Sequence, residues 1–119
     1  MIPCPAPPAR TKESSARTPA GEETVELTPA QCQAMADFLQ GLANPLRVEI
    51  LCSLRDGERS VGEIARRVGS NPSNVSRQLQ ILMTKGYVVR RREEQNVFYR
   101  VPEAVYGLMT EVFRFVGRR

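Results

Sequence analysis

A chain of 119 residues, 41% of them hydrophobic, has room for one small core, and no apolar run approaches the roughly 18 residues that cross a bilayer. There is no histidine, which excludes a Ser-His or Cys-His catalytic pair, and the three cysteines (Cys4, Cys32, Cys52) form neither a C-x-x-C pair nor the even set of a disulfide scaffold. The formal net charge of +4 is unevenly placed: residues 66–100 hold eight basic groups against Glu93 and Glu94 alone, a net of +6, whereas residues 1–27 sum to −1, 28–65 to −2 and 101–119 to +1.

The opening MIPCPAPPARTKESS has too many prolines and too little apolar length for a secretory signal. Residues 1–27, dominated by Pro, Ala, Ser, Thr and Glu, bury too little apolar surface to offset the entropy of ordering. We expect a disordered tail over 1–27, a single folded domain over 28–119, free thiols and a cytoplasmic location.

LTPAQCQAMADFLQGLAN predicts a first helix, capped by Thr28 with Pro29 at its first position and apolar residues at Cys32, Met35, Phe38, Leu39 and Leu42. NPLRVEILCSLRDGE repeats the device: Asn44 caps, Leu46, Ile50, Leu51 and Leu54 share a face, and Asp56-Gly57 ends the helix. SVGEIARRVG predicts a short third helix with Ser60 and Glu63 as a capping box, Val61, Ile64, Ala65 and Val68 inward, and Gly69 closing it. SNPSNVSRQLQILMTKG predicts a fourth, from about Pro72 to Lys85, that buries Val75, Leu79 and Leu82 and stops at Gly86. YVVRRR and VFYRV surround the polar stretch Glu93-Glu94-Gln95-Asn96 and predict an antiparallel hairpin. Pro102 opens a fifth helix with an apolar stripe at Val105, Leu108, Met109, Val112 and Val116.

Two short helices joined by a tight turn and followed by a hairpin describe a winged helix-turn-helix, mostly α with one small antiparallel β-hairpin. Ala65 at the helix crossing, Gly69 in the turn and Val75 pointing back have the expected small-residue arrangement. In that geometry the fourth helix enters the major groove of double-stranded DNA and the hairpin reaches the neighbouring backbone or minor groove. Ser73, Asn74, Ser76, Arg77 and Gln78 are then the candidate base readers, Arg to guanine and Asn or Gln to adenine. Arg90, Arg91 and Arg92 would reach phosphates, with Gln95 and Asn96 at the hairpin tip. Strand alternation puts Arg90 and Arg92 on one face and Arg91 on the other. The fifth helix, with Leu108, Met109, Val112, Phe113, Phe115 and Val116, and the first helix carry more apolar surface than so small a core hides. We expect a homodimer through the first and last helices, two reading helices about 34 Å apart, and a palindromic operator.

The segment Phe38–Val101, above all LANPLRVEIL, SVGEIA, SNPSNVSRQLQIL and NVFYRV, resembles the ArsR/SmtB family of bacterial metal- and redox-responsive repressors. The resemblance implies a homodimeric repressor that an inducer releases from its operator. The family's inducer sites are matched poorly. Ser60, Val61 and Gly62 stand where metal-sensing members have C-V-C, and the zinc site on the fifth helix needs histidine. A thiol-switch branch pairs a cysteine of the second helix with one of the last; EILCSL supplies Cys52, and EVFRFVGRR supplies none. Cys32 and Cys52 are thus the candidate thiol sensors, toward arsenite, another soft metal or metalloid, or an oxidant, with Cys4 able to approach either. The bland alternative is that such a cysteine is a small hydrophobe packed on an apolar helix face. No cofactor or resident metal is required by the sequence. The alternative to DNA binding is an adaptor that uses the same fold to hold a protein, although the charge on the hairpin argues against it. An enzyme is not expected, because no cysteine has a base beside it and no phosphate loop or carboxylate pair is present.

Overall fold

The computed structural model describes residues 26–117. Most of the tail expected over 1–27 therefore lies outside the described residues; Glu26 and Leu27 are exposed and outside any helix or strand. The described residues fall into two units that part between Cys32 and Gln33.

In the first unit, the Thr28 hydroxyl accepts from the Gln31 N–H at 3.1 Å and the Gln31 side chain accepts from the Thr28 N–H at 2.8 Å. This reciprocal cap starts helix α1, Pro29–Leu39. A 3-10 turn, Gln40–Leu42, follows, then α2 (Pro45–Ser53), α3 (Val61–Val68), α4 (Pro72–Thr84), strands β1 (Val89–Glu93) and β2 (Asn96–Arg100), and α5 (Glu103–Gly117).

Local chemistry accounts for most of the boundaries. Asn44 accepts from the backbone N–H of Leu46 and Arg47 ahead of Pro45, and Ser60 with Glu63 closes a capping box on α3. The turn from α3 to α4 needs Gly69, whose φ of +69° lies where a side chain would be strained. At the end of α4 the Gly86 N–H donates to the Met83 carbonyl and the Tyr87 N–H to that of Leu82. This Schellman pair explains a difference from the sequence expectation, which began the strand at Tyr87 and ran α4 through Lys85. The Tyr87 N–H is already bonded to the helix, so the ladder begins only at Val89, while Tyr87 and Val88 turn into the core.

The core joins Ile50, Leu51 and Leu54 from α2 and its C-cap, Ile64 and Ala65 from α3, Val75, Leu79 and Leu82 from α4, and Tyr87, Val88, Tyr99 and Met109. Helices α2, α3 and α4 pack on one another, and α3 also meets β2. The hairpin pairs Val89 with Arg100 through Glu93 with Asn96, leaving Glu94-Gln95 as a two-residue loop. A backbone bridge ties it to the segment before α3: Arg59 donates to the Tyr99 carbonyl at 3.1 Å and Tyr99 to that of Arg59 at 2.9 Å. Three packed helices and a tethered hairpin make this a winged helix-turn-helix.

The first and last helices contribute little to that core. No residue of α1 is buried, and of its expected stripe only Phe38 is partly covered, with Leu42 just beyond in the 3-10 turn. In α5 only Met109 is buried, while Leu108, Phe115 and Val116 stay exposed.

Candidate nucleic-acid interface

Helix α4 is positioned from three sides. Its buried stripe, Val75, Leu79 and Leu82, seats it in the core; the Asn71 side chain accepts from the Asn74 N–H at 2.8 Å, and Pro72 occupies the first turn. Helical geometry then turns Ser73, Ser76, Arg77 and Gln80 outward, and all four are exposed. Asn74 and Gln78 fall on the flank between the outward and buried faces and are half-buried. The Gln78 carbonyl oxygen accepts from Arg47 of α2 at 3.0 Å, and its amide nitrogen lies 3.4 Å from Asn74 Oδ1. The bond from Arg47 takes one of the two lone pairs of the carbonyl oxygen, the atom that the bidentate adenine contact expected of Gln78 would also use. Sequence reading gave no sign of Arg47, because a contact 31 residues away leaves no local pattern.

The hairpin treats its three arginines differently. Arg90 and Arg92 are exposed, and among the described residues neither enters an ion pair. Arg91 pairs with Phe98 across the ladder and, although exposed, is engaged by two carboxylates. Its Nη2 and Nε donate to Glu58 at 2.8 and 3.0 Å, its Nη1 donates to Glu93 at 2.9 Å, and its guanidinium lies 5.1 Å from the Phe98 ring centroid. The Arg91 hydrogen bonds hold the Glu58 carboxyl below its usual 4.5, and Glu58 and Glu93 in turn raise the pKa of Arg91. Of the three arginines expected at phosphates, Arg90 and Arg92 thus have no carboxylate partner among the described residues, while Arg91 braces the hairpin against the loop before α3. The alternation expected of the strand is the cause, since it sends the middle arginine to the other face. Gln95 lies in the loop and Asn96 opens β2, both exposed.

Cys32 and Cys52 are free and exposed, so packing of Cys52 into the apolar core is not what this chain does. Cys52 faces an open hollow lined by Val48, Glu49, Ser53, Arg67 and Val68. Cys4 lies outside the described residues. Among the described residues no three of His, Cys, Asp and Glu come together as a metal site. Ser60, at the position of the family's thiolate motif, is occupied as the α3 cap.

A helix-turn-helix with a basic hairpin defines a class of regulatory DNA-binding folds. The model of the bacterial regulatory proteins of the arsR family matches residues 44–89, which run from the α2 cap to the start of β1. The biofilm growth-associated repressor of Agrobacterium fabrum is 35% identical over 83 residues, 70% of this chain and 71% of that protein. The repressor of the same name from Xylella fastidiosa is 39% identical over 70 residues, 59% of this chain and 61% of its own length. Among solved structures, the homodimeric winged helix-turn-helix DNA-binding domain from Mycobacterium bovis superposes with a TM-score of 0.72 at 34% identity, covering 82% of this chain and 90% of that one. NolR from Sinorhizobium fredii superposes at 0.68 with 31% identity, covering 79% of this chain and 98% of NolR. The chain belongs to the ArsR family of bacterial regulatory proteins.

Proposed function

We propose that this chain is a homodimeric, sequence-specific transcriptional repressor of the bacterial cytoplasm that binds a palindromic operator and leaves it when an inducer binds. The observation that carries the reading is the exposure of Ser73, Ser76 and Arg77 on the outer face of α4 together with Arg90 and Arg92 on the hairpin, within a segment of net charge +6. Such a face suits one helix in the major groove with a cationic arm on the adjacent backbone. The kinship with proteins named as repressors supports the direction of regulation, and the homodimeric relative supports the oligomeric state. Among the described residues no helix is long and apolar enough to cross a membrane.

The inducer is a thiol-reactive species that Cys52, and on α1 Cys32, would meet in the open. Binding-site selection from random duplexes, repeated with arsenite, an oxidant or a persulfide donor, tests both parts. An inverted repeat should be enriched, and one of the three reagents should abolish its recovery. Failure to enrich any sequence would remove the repressor reading, and enrichment untouched by all three reagents would remove the thiol-reactive inducer.

A further inference from the structure

The row of side chains along the flank of α4 has a direction, and Arg47 sets it. Each of the three guanidinium nitrogens of Arg47 donates: Nε to the Gly41 carbonyl at 3.0 Å, Nη2 to the Gln40 carbonyl at 3.1 Å and Nη1 to Gln78 Oε1 at 3.0 Å. A guanidinium has no acceptor, so the end of the Gln78 amide that faces it must be the carbonyl. The amide nitrogen of Gln78 is then turned toward Asn74, whose Oδ1 lies 3.4 Å away. Asn74 in turn directs its own Nδ2 at Ser70 Oγ, again at 3.4 Å. Residues 74 and 78 lie four apart on the reading helix and Ser70 just ahead of its cap, so a single polarity runs along one edge of α4 and into the turn before it.

The anchor is firm. The turn that Arg47 grips is locked from the other side, because Gly41 is buried under the Tyr87 ring and Tyr87 donates its hydroxyl proton to the Phe38 carbonyl at 2.7 Å. Arg47 itself is half-buried, with its guanidinium committed in three directions.

We infer that Arg47 is a positioning residue that makes the Gln78–Asn74 edge a donor edge, one that offers N–H groups to DNA and takes acceptor atoms in return. Those acceptors are either the O6 and N7 of guanine or phosphate oxygens. Adenine, which a free glutamine reads by giving one hydrogen bond and accepting another, is disfavoured because Arg47 takes one lone pair of Oε1 at 3.0 Å and sets a cation beside the other. The amide nitrogen, 3.4 Å from Asn74, keeps a second N–H to give. The inference deepens the DNA-binding reading and rests on it.

The test uses the full chain, the selected operator and a scrambled duplex of equal length, at one salt concentration. Four proteins are compared: wild type, Arg47→Met, Gln78→Met and the double variant. Gln78→Met should weaken binding roughly tenfold, the scale of a lost specific contact. Arg47→Met should also weaken it, and the double variant should be no worse than Gln78→Met, because Arg47 acts through Gln78. A loss confined to the operator identifies the guanine edge as the acceptor; an equal loss on both duplexes identifies phosphate. Wild-type binding by Gln78→Met, or losses that multiply in the double variant, would overturn the inference.

Arg47→Met also frees two carbonyls and can fail to fold. Gln78→Glu then carries the test, since its carboxylate still accepts from Arg47 but has no N–H to offer. It should bind no better than Gln78→Met, and wild-type binding by this variant would overturn the donor edge. A wild-type chain that binds neither duplex removes the DNA-binding reading itself, an outcome distinct from a wild type that binds while its variants do not behave as described.

Discussion

Glu58 shows how much of the hairpin's behaviour depends on one carboxylate. Held below its ordinary 4.5 by Arg91, it stays charged in the fold at pH values where the unfolded chain already takes up a proton. The contact therefore stabilises the fold above that ordinary value, and its contribution is lost as the pH falls through the lower folded value. Carboxyl-resolved NMR titration should place the Glu58 midpoint below 4.5 in the wild type and return it toward 4.5 in Arg91→Met; identical midpoints would show that the brace does not form in solution. Legibility at this scale follows sequence distance. The Asn44 cap and the Ser60–Glu63 box were readable because partners two or three residues apart leave a pattern, whereas Arg47–Gln78 and Arg91–Glu58 join positions 31 and 33 residues apart. The exposure of Cys52 was not legible for a related reason: an apolar-looking helix segment does not say which flank its cysteine occupies.

Among the elements, the 3-10 turn and the hairpin each make a prediction. A Cβ on Gly41 would come within 2.4 Å of the Tyr87 ring, which is fully buried, stacked on Phe38 at 4.3 Å and tied by its hydroxyl to the Phe38 carbonyl. Gly41→Ala should therefore destabilise the chain by about 1–3 kcal/mol, the usual scale of overpacking, measurable as a shift in the urea midpoint. An unchanged midpoint would mean that the ring is mobile. For the hairpin, removing a phosphate contact shallows the slope of log affinity against log salt by about 0.9. Arg92→Ala should show that change on any duplex, whereas Arg91→Ala, already paired with Glu58 and Glu93, should show little of it. Equal changes would place Arg91 on the DNA after all. The five helices and the hairpin were legible because caps, glycines and periodicity are local. The start of β1 was not, since it depends on the Tyr87 N–H being taken by α4.

Across the whole molecule, the unsettled surface is apolar. Phe115 is 64% exposed, Val116 54% and Met35 52%, on helices that add almost nothing to the core. A second copy covering such faces is the physical basis of the proposed dimer. The double substitution Leu108→Glu, Phe115→Glu should yield a folded monomer by sedimentation and circular dichroism, with operator affinity reduced far more than affinity for scrambled duplex. A variant that remains dimeric would move the interface elsewhere. Charge distribution makes the same point about DNA, since the basic groups concentrate in the helix-turn-helix and hairpin rather than over the whole chain.

The most direct measurement is fluorescence anisotropy of the full chain against its selected operator and a scrambled duplex, under reducing conditions, from about 50 to 200 mM salt, where phosphate contacts lose most of their affinity. We predict binding to both that weakens as salt rises, with the operator preferred by at least about a thousandfold throughout. Equal affinities at every salt concentration would contradict a base-reading α4 and leave only a cationic surface.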